Sequence, residues 1–304
     1  MSRVNILIST YNGSQFIEEQ LESILNQTYS DYHIYIRDDG STDQTVSKIE
    51  WFVKTHGLEN RCTLEKGMNI GFALSFQELL RMSSDGEYWA FCDQDDYWYP
   101  DKILHAIQWM QLQNPQIPLI YHSGIEIGNT DLSTKTPYRI PVTAGKYRYQ
   151  YDNMFASNVL FGFAMLINRT LYEELLKVDF HKVKYHDWFA SMITVSFGKF
   201  HVSEQVDVVH RQHEMNASPF YFLKKIPDGL KLLKGDDFYR RNAEEFYKLY
   251  QDRLSLHQKN ICQWFFHRGY NCRNAFQKAL YPKRWNPQLK VEIVQRTLMI
   301  LGKI

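Results

Sequence analysis

The chain reads as an α/β protein, a mostly parallel sheet flanked by helices and followed by a helical C-terminal extension. Three observations carry that reading. Short β-branched apolar runs alternate with amphipathic stretches over the first hundred residues, the succession that builds a parallel sheet with right-handed crossovers. Hydrophobic residues make up 44% of the 304, enough for a large core and too many for global disorder. From about Pro219 the pattern turns helical, with Tyr239, Ala243, Phe246, Tyr250 and Leu254 at amphipathic spacing. The expected division is therefore residues 1–218 for the sheet domain and 219–304 for the extension.

Val4 to Ser9 is a run of the kind buried in parallel sheets, and the chain leaves it through Tyr11-Asn12-Gly13. Phe16, Ile17, Gln20, Leu21, Ile24 and Leu25 then keep helical spacing. His33 to Asp38 is the second strand. It runs into Asp38-Asp39-Gly40, after which Ser41 to Gln44 has capping-box form and opens a helix. Cys62 to Lys66 is a short third strand and Gly71 to Met82 a helix. Tyr88 to Cys92 is a fourth strand ending in Asp93-Gln94-Asp95-Asp96, and Pro100 opens the next helix at its permitted first turn. Leu119 to Ile127 is strand-like, 129–150 a polar loop, Met154 to Ile167 buried core, and His186 to Val195 a helix. No repeat or low-complexity tract interrupts this order.

The formal net charge of +1 gives no strong field over the whole molecule, so nucleic-acid binding gets no support. Aromatic residues at 15% suit either thick packing between helices or aromatic binding surfaces. Cys62, Cys92, Cys262 and Cys272 form no CxxC pair or disulfide scaffold, which fits a reducing cytoplasm. The N-terminus enters a strand without a signal-peptide core, and no stretch approaches the ~18 to 20 apolar residues of a membrane span.

Both acidic clusters fall at strand carboxyl ends, where parallel sheets bind ligands. Three carboxylates in Asp93-Gln94-Asp95-Asp96 repel one another unless a cation or water answers them. Carboxylates are the ligands Mg²⁺ and Mn²⁺ prefer, and a solvated acidic turn capping the following helix is the plainer alternative. Asp38-Asp39-Gly40-Ser41 can accept hydrogen bonds from a base or ribose, or be an ordinary strand-to-helix turn. Asn69-Ile70-Gly71 feeds a helix N-terminus, where backbone N–H groups favour anions. His186-Asp187-Trp188 opens a helix, and Arg211-Gln212-His213 follows a strand; an Asp at a helix start is, on its own, a cap.

Taken together, Ser9-Thr10-Tyr11-Asn12-Gly13, Asp38-Asp39-Gly40-Ser41-Thr42-Asp43, Asn69-Ile70-Gly71 and Asp93-Gln94-Asp95-Asp96 resemble, in order and spacing, family 2 glycosyltransferases of the GT-A fold. The resemblance covers about residues 1–215. Cys92 to Trp98, His186-Asp187 and Arg211 to Asn216 look most like bacterial rhamnosyltransferases, which extend surface polysaccharides (O-antigen, capsule, cell wall) from dTDP-L-rhamnose. It implies that Thr10 and Tyr11 line the nucleobase pocket, that Asp39 accepts a hydrogen bond from the base, and that Asp93 sits by the ribose. Asn12, Asp38, Asn69, Gln94 and Arg211 belong to the same nucleotide-sugar-binding set. Asp95 would ligate Mg²⁺ or Mn²⁺, with His213 facing the metal and diphosphate. Asp187 matches the Asp of the family's general-base motif, while His186 replaces the more usual Glu before it.

The implied reaction is a single inverting displacement, in which Asp187 takes the proton of an acceptor hydroxyl. The donor is dTDP-rhamnose or, alternatively, a UDP-sugar, and the acceptor is a lipid-linked saccharide. A dinucleotide-dependent oxidoreductase would need a glycine-rich first turn, which Thr10 to Ser14 lacks. A glycoside hydrolase would need neither a metal nor the Asp38-Asp39 turn. A non-catalytic nucleotide-sugar-binding module would fit loss of the metal or base residue, and both are present. From Lys278 to Ile304, six basic residues face the single acid Glu292, and Val291, Val294, Leu298 and Leu301 form an apolar stripe. Such a helix can lie on the inner face of the cell membrane, pack on the core, or pair with a second subunit as a homodimer.

Overall fold

The computed structural model describes residues 3–214, 216, 238–266 and 271–304. The expected boundary at 218 and the expected helical stretch 219–237 lie outside them. Two compact units interleave in sequence: 1–140, 160–176 and 186–213 form one, and 141–159, 177–185 and 214–304 the other.

The first unit is built on a nine-stranded sheet. Its strands are β1 (Val4–Thr10), β2 (Tyr32–Asp38), β3 (Cys62–Lys66), β4 (Tyr88–Asp93), β5 (Tyr97–Trp98), β6 (Leu119–Gly128), β7 (Lys135–Tyr138), β10 (Met165–Asn168) and β11 (Lys199–Arg211). The path is β3-β2-β1-β4-β10-β6-β11-β5, with β7 beside β6. Strands β3, β2, β1 and β4 are parallel neighbours, as are β6 and β11. Val4, Ile6, Leu7 and Ile8 are all fully buried, because helices cover both faces; the run is therefore continuous, not alternating. The helices are α1 (Ile17–Leu25), α2 (Thr45–Thr55), α3 (Phe72–Met82), α4 (Lys102–Met110), α5 (Arg169–Leu175) and α6 (His186–Phe197).

Register brings the strand ends level: Thr10 faces Asp38 on one side of β1, and Ser9 faces Asp93 on the other. The chain order reverses across β1, with β2 on one side and β4 on the other. That switch point is where an open α/β sheet leaves a crevice for a ligand.

Met154 to Ile167 is buried, as expected, at every position but Asn158 and Phe161, and within it β10 begins at Met165 and runs antiparallel between β4 and β6. Three expectations need correction. Ser41 does not cap a helix, because its hydroxyl and N–H both bond Asp38; α2 starts at Thr45, whose N–H and hydroxyl donate to Asp43. Pro100 precedes α4, whose N-cap is Asp101. The polar loop contains β7, antiparallel to β6, and a hairpin of β8 (Thr143–Ala144) with β9 (Tyr147–Arg148).

The second unit gathers that hairpin around helices α7 (Phe238–Tyr250), α8 (Leu256–Phe266), α9 (Cys272–Ala279) and α10 (Leu289–Ile300). Its core is aromatic: Phe155 stacks on Phe265 at 5.5 Å and meets Phe246 edge-on at 5.7 Å. The buried Asp152 carboxylate accepts from His257, Tyr281 and Lys283, which ties α8 to the chain beyond α9.

Candidate active site

At the end of β1 and β2 the polar groups satisfy one another. Thr10 donates its hydroxyl to Asp38 Oδ1 at 2.9 Å, and the Ser41 N–H donates to Oδ2 at 2.8 Å. Asn12 adopts a left-handed conformation (φ 48°), which the short amide tolerates. Its N–H donates to the Ser41 hydroxyl, and its Oδ1 accepts from the Thr42 N–H. Asp39 accepts from Arg37 at 2.6 Å and from the Ile70 and Gly71 N–H groups at 2.9 Å each. The Asn69-Ile70-Gly71 loop thus hangs on Asp39, with Asn69 exposed. Tyr11 is 48% exposed at the mouth of the crevice, a ring available to a base. The Gln94 amide spans the switch point: Oε1 accepts from Tyr11 N–H at 2.9 Å, and Nε2 donates to Tyr11 O at 3.1 Å. A Cβ on residue 13 would lie 2.1 Å from Gln94 Oε1, so this bridge requires Gly13.

The turn after β4 is different. Asp96 is fully buried, and its Oδ1 accepts from His210 Nδ1 at 2.8 Å and from Arg211 N–H at 3.2 Å. Ligand atoms of Asp93, Asp96 and His210 all lie within 4.8 Å of one another. Burial holds the Asp93 carboxyl well above the usual range, and the charges of Asp96 and Asp95 add to it. Asp187 contributes in the same sense, so the two carboxylates share one electrostatic neighbourhood. Burial alone would lower His210; the Asp96 carboxylate outweighs it and carries the imidazole to about 9. His210 is therefore cationic near neutral pH and stacks flat on Phe163 at 4.3 Å.

Asp95 and His213 form the second pair, Oδ2 to Nε2 at 2.6 Å, both largely buried. An oxygen and an imidazole nitrogen this close are a donor set that suits a divalent cation. Arg211 is buried beneath them. Its guanidinium donates to Asp95 O, Thr130 O and the Glu19 carboxylate, and lies over Phe16. In this arrangement it clamps the acidic turn to α1 and to the loop after β6.

Across the crevice, Asp187 stands in the first turn of α6. Its Oδ2 accepts from Gly162 N–H at 3.1 Å and its Oδ1 from Trp188 N–H at 2.6 Å. Burial pushes the carboxyl up to about 6, against the pull of those two amides. That value suits a proton acceptor working near neutrality. His186 is buried against Phe76 at 4.1 Å and Phe91 at 4.7 Å, and burial lowers its imidazole to about 3. Neither ring nitrogen has a hydrogen-bond partner, so the residue stays neutral beside the carboxylate. A Cβ at residue 162 would fall 2.9 Å from His186 Nε2 and 3.2 Å from Asp187 Cβ.

The structure thus gathers Thr10, Tyr11, Asn12, Asp38, Asp39, Gln94, Asp93, Asp95, Arg211 and His213 along one edge of the sheet, with Asp187 at the same edge. Sequence reasoning passed over His210 and Gly162. His210 stands directly before Arg211-Gln212-His213, and a histidine entering a motif beside three carboxylates was the available signal. Gly162 carried none beyond its break in an apolar run.

The pattern of glycosyl transferase family 2 matches residues 5–176. A dTDP-rhamnosyl transferase of Shigella flexneri is 28% identical over 222 residues, 69% of this chain and 72% of that one. An Escherichia coli UDP-Glc:α-D-GlcNAc-diphosphoundecaprenol β-1,3-glucosyltransferase is 34% identical over 113 residues, 37% of this chain and 43% of its own. Among solved structures, Staphylococcus aureus TarS superimposes with a TM-score of 0.57 at 14% identity, covering 99% of this chain and 90% of the other. A Pyrobaculum calidifontis mannosyltransferase in complex with GDP-Man and Mn²⁺ gives 0.55 at 19%, covering 99% and 86%. With the sheet order and the motif residues in place, the chain belongs to glycosyl transferase family 2 and carries the GT-A fold.

Proposed function

We propose that this protein is an inverting, metal-dependent transferase that moves L-rhamnose from dTDP-L-rhamnose to a hydroxyl of a lipid-linked saccharide, in the synthesis of a surface polysaccharide. The observation that carries the reading is the proximity of Asp187, a carboxyl poised near neutrality, to the crowded carboxylates after β4. The dTDP-rhamnosyl relative supports the choice of donor.

The parts account for the chemistry. Tyr11 offers its ring to the base, and Asp39 a carboxylate oxygen to its N–H. Asp93 sits where a ribose would meet the end of β4. Asp95 and His213 would hold Mg²⁺ or Mn²⁺, which offsets the charge that grows on the departing diphosphate. Asp187 takes the proton from the acceptor hydroxyl as its oxygen bonds to the anomeric carbon. The bond from that carbon to the diphosphate oxygen breaks on the opposite face, and the nucleoside diphosphate leaves with the electron pair. One displacement inverts the centre, so a β-linked donor yields an α-linked sugar. The neutral His186 adds no charge to compete with Asp187 for that proton.

A UDP-sugar donor is the second reading, favoured by the segment similar to the E. coli glucosyltransferase. Thermal shift separates them, because a ligand that binds the folded state stabilises it by about 2.7 kcal/mol at a hundred times its Kd. The expected result is a rise in Tm with dTDP-rhamnose that requires Mn²⁺ or Mg²⁺, and a smaller one with UDP-glucose or UDP-GlcNAc. A larger shift with a UDP-sugar transfers the assignment to the second reading; no shift with any nucleotide sugar removes both.

A further inference from the structure

Helix α10 is patterned inside out. Its inward face carries Glu292, Gln295, Leu298 and Met299, all buried. Glu292 accepts from Asn286 N–H and from Arg296 Nε at 2.6 Å each, and Gln295 donates to Ala156 O at 2.6 Å. The polar side chains thus anchor the helix to its own unit. The outward face is apolar: Leu289 is 64% exposed, Ile293 58% and Ile300 43%, with Val294 and Leu301 in the adjoining row. The stripe expected from sequence is therefore split, since Leu298 is buried while Val294 and Leu301 face solvent. Helix α9, joined to α10 where Arg296 donates to Ala279 O and Tyr281 O, exposes Phe276 and Leu280 as well.

Charge says what covers this face. From Arg253 to the end of the sequence there are ten Lys and Arg against one acid, Glu292. The preceding residues hold the remaining twenty-five basic and thirty-three acidic side chains. A near-neutral chain is thus strongly polarised along its length. Lys290 and Lys303 are exposed on and beside α10, and Arg273 at the start of α9, while the acid is turned inward to Asn286 and Arg296. A second copy docking here would set two strongly positive surfaces together, which self-repulsion opposes. An anionic surface with an apolar interior satisfies both components at once.

We propose that α9 and α10 form a peripheral docking face for an anionic lipid bilayer. The exposed Leu and Ile side chains enter the headgroup boundary, and Arg273, Lys290 and Lys303 meet the lipid phosphates. The helices lie on the bilayer; among the described residues no helix is long and apolar enough to cross one. This goes beyond the transfer reaction and does not depend on which sugar is moved.

Co-sedimentation of the full chain with vesicles tests it, using phosphatidylcholine alone and phosphatidylcholine mixed with phosphatidylglycerol. Binding is expected to the mixed vesicles only, weakening as salt is raised. The triple variant Leu289→Ser/Ile293→Ser/Ile300→Ser should lower vesicle affinity at least ~10-fold. Its melting temperature should be unchanged, because these side chains face solvent. Absence of wild-type binding to the mixed vesicles overturns the proposal, as does undiminished binding by the triple variant. A concentration-dependent dimer that the triple substitution dissolves overturns it too, and assigns the face to a second copy. Since the readout is binding, the outcome is independent of the catalytic reading.

Discussion

The two acidic turns lie one strand apart on either side of β1, yet they are built on opposite terms. At Asp38 and Asp39, every carboxylate oxygen meets a hydroxyl, an amide or Arg37, and the turn holds its shape without a cation. At Asp93 to Asp96 the carboxylates crowd, one oxygen of Asp96 has no partner, and the side chains that meet them are His210 on Asp96 and His213 on Asp95. Buried carboxylates supplied with donors hold their place without a ligand, and Asp39, with three donors, keeps one acceptor site to offer; those left to repel one another hold a demand that a cation or substrate can meet. Composition alone does not separate the two cases.

That contrast can be broken in four places. The largest effect is expected at Asp187. Asp187→Asn should lower turnover by about 10² to 10⁴ with donor affinity retained, since the amide cannot accept the proton. Wild-type turnover should fall on the acid side with a midpoint near 6. Because that carboxyl is raised in the folded state, its ionisation opposes folding once the pH exceeds about 4, and fully so above about 6. Wild-type stability should therefore fall further between pH 4 and pH 8 than that of the Asn variant, by an amount on the order of 1 to 3 kcal/mol; no net gain is expected for Asn, whose amide N–H meets one of the two main-chain N–H groups that the carboxylate accepts. Retained turnover would return Asp187 to the role of a helix cap.

Next comes His210→Gln, which leaves Asp96 buried without its cation. A stability loss of about 3 to 5 kcal/mol by denaturant titration is expected, the cost of an uncompensated buried charge. His210 is raised in the folded state, so its contribution is complete below its ordinary value near 6.5 and lost as pH passes about 9. A wild-type stability that stays flat over that window would contradict the ion pair.

Asp95→Ala addresses the metal. Transfer should drop by about 10²-fold or more, and Mn²⁺ should cease to strengthen nucleotide binding while the fold survives. Near wild-type turnover of this variant in EDTA would remove the cation from the mechanism. The smallest effect belongs to the turn after β2: Asp38→Asn can keep its oxygen on the Ser41 N–H while its NH2 turns to the Thr10 and Ser41 hydroxyls, which must reverse their roles, a loss of about 1 kcal/mol in stability. The metal dependence of nucleotide binding should not change. If it does, the two turns are not separable.

Much of this was legible in the chain. Apolar runs located β1, β2 and β4 to within a residue or two, because strands buried on both faces leave an unambiguous pattern; the edge strand β3 was placed as well, although none of its residues is buried. The acidic clusters could be placed at strand ends for the same reason. Strand direction could not be read, and β10 shows why: three apolar residues, Met165 to Ile167, serve a parallel or an antiparallel neighbour equally well. The pairing of Asp96 with His210, 114 residues apart, was likewise invisible, since nothing in the order of residues joins the acidic turn to the end of β11. The exposed rows of α10 were half seen. Periodicity found an apolar stripe, but only packing decides which stripe faces inward, and Glu292 and Gln295 took that side through their hydrogen bonds.

The antiparallel course of β10 has one more consequence. Its entering end reaches the edge of the sheet that bears the site, so the group holding the Asp187 carboxyl there is a main-chain amide, that of Gly162. The anchor holds only with glycine, because a Cβ at residue 162 would fall 2.9 Å from His186 Nε2 and 3.2 Å from Asp187 Cβ. Loops around the crevice can vary while Gly162 and the Asp187 carboxyl stay together. Substitution is therefore expected to be refused at residue 162, where the main chain itself is the ligand of a buried carboxyl.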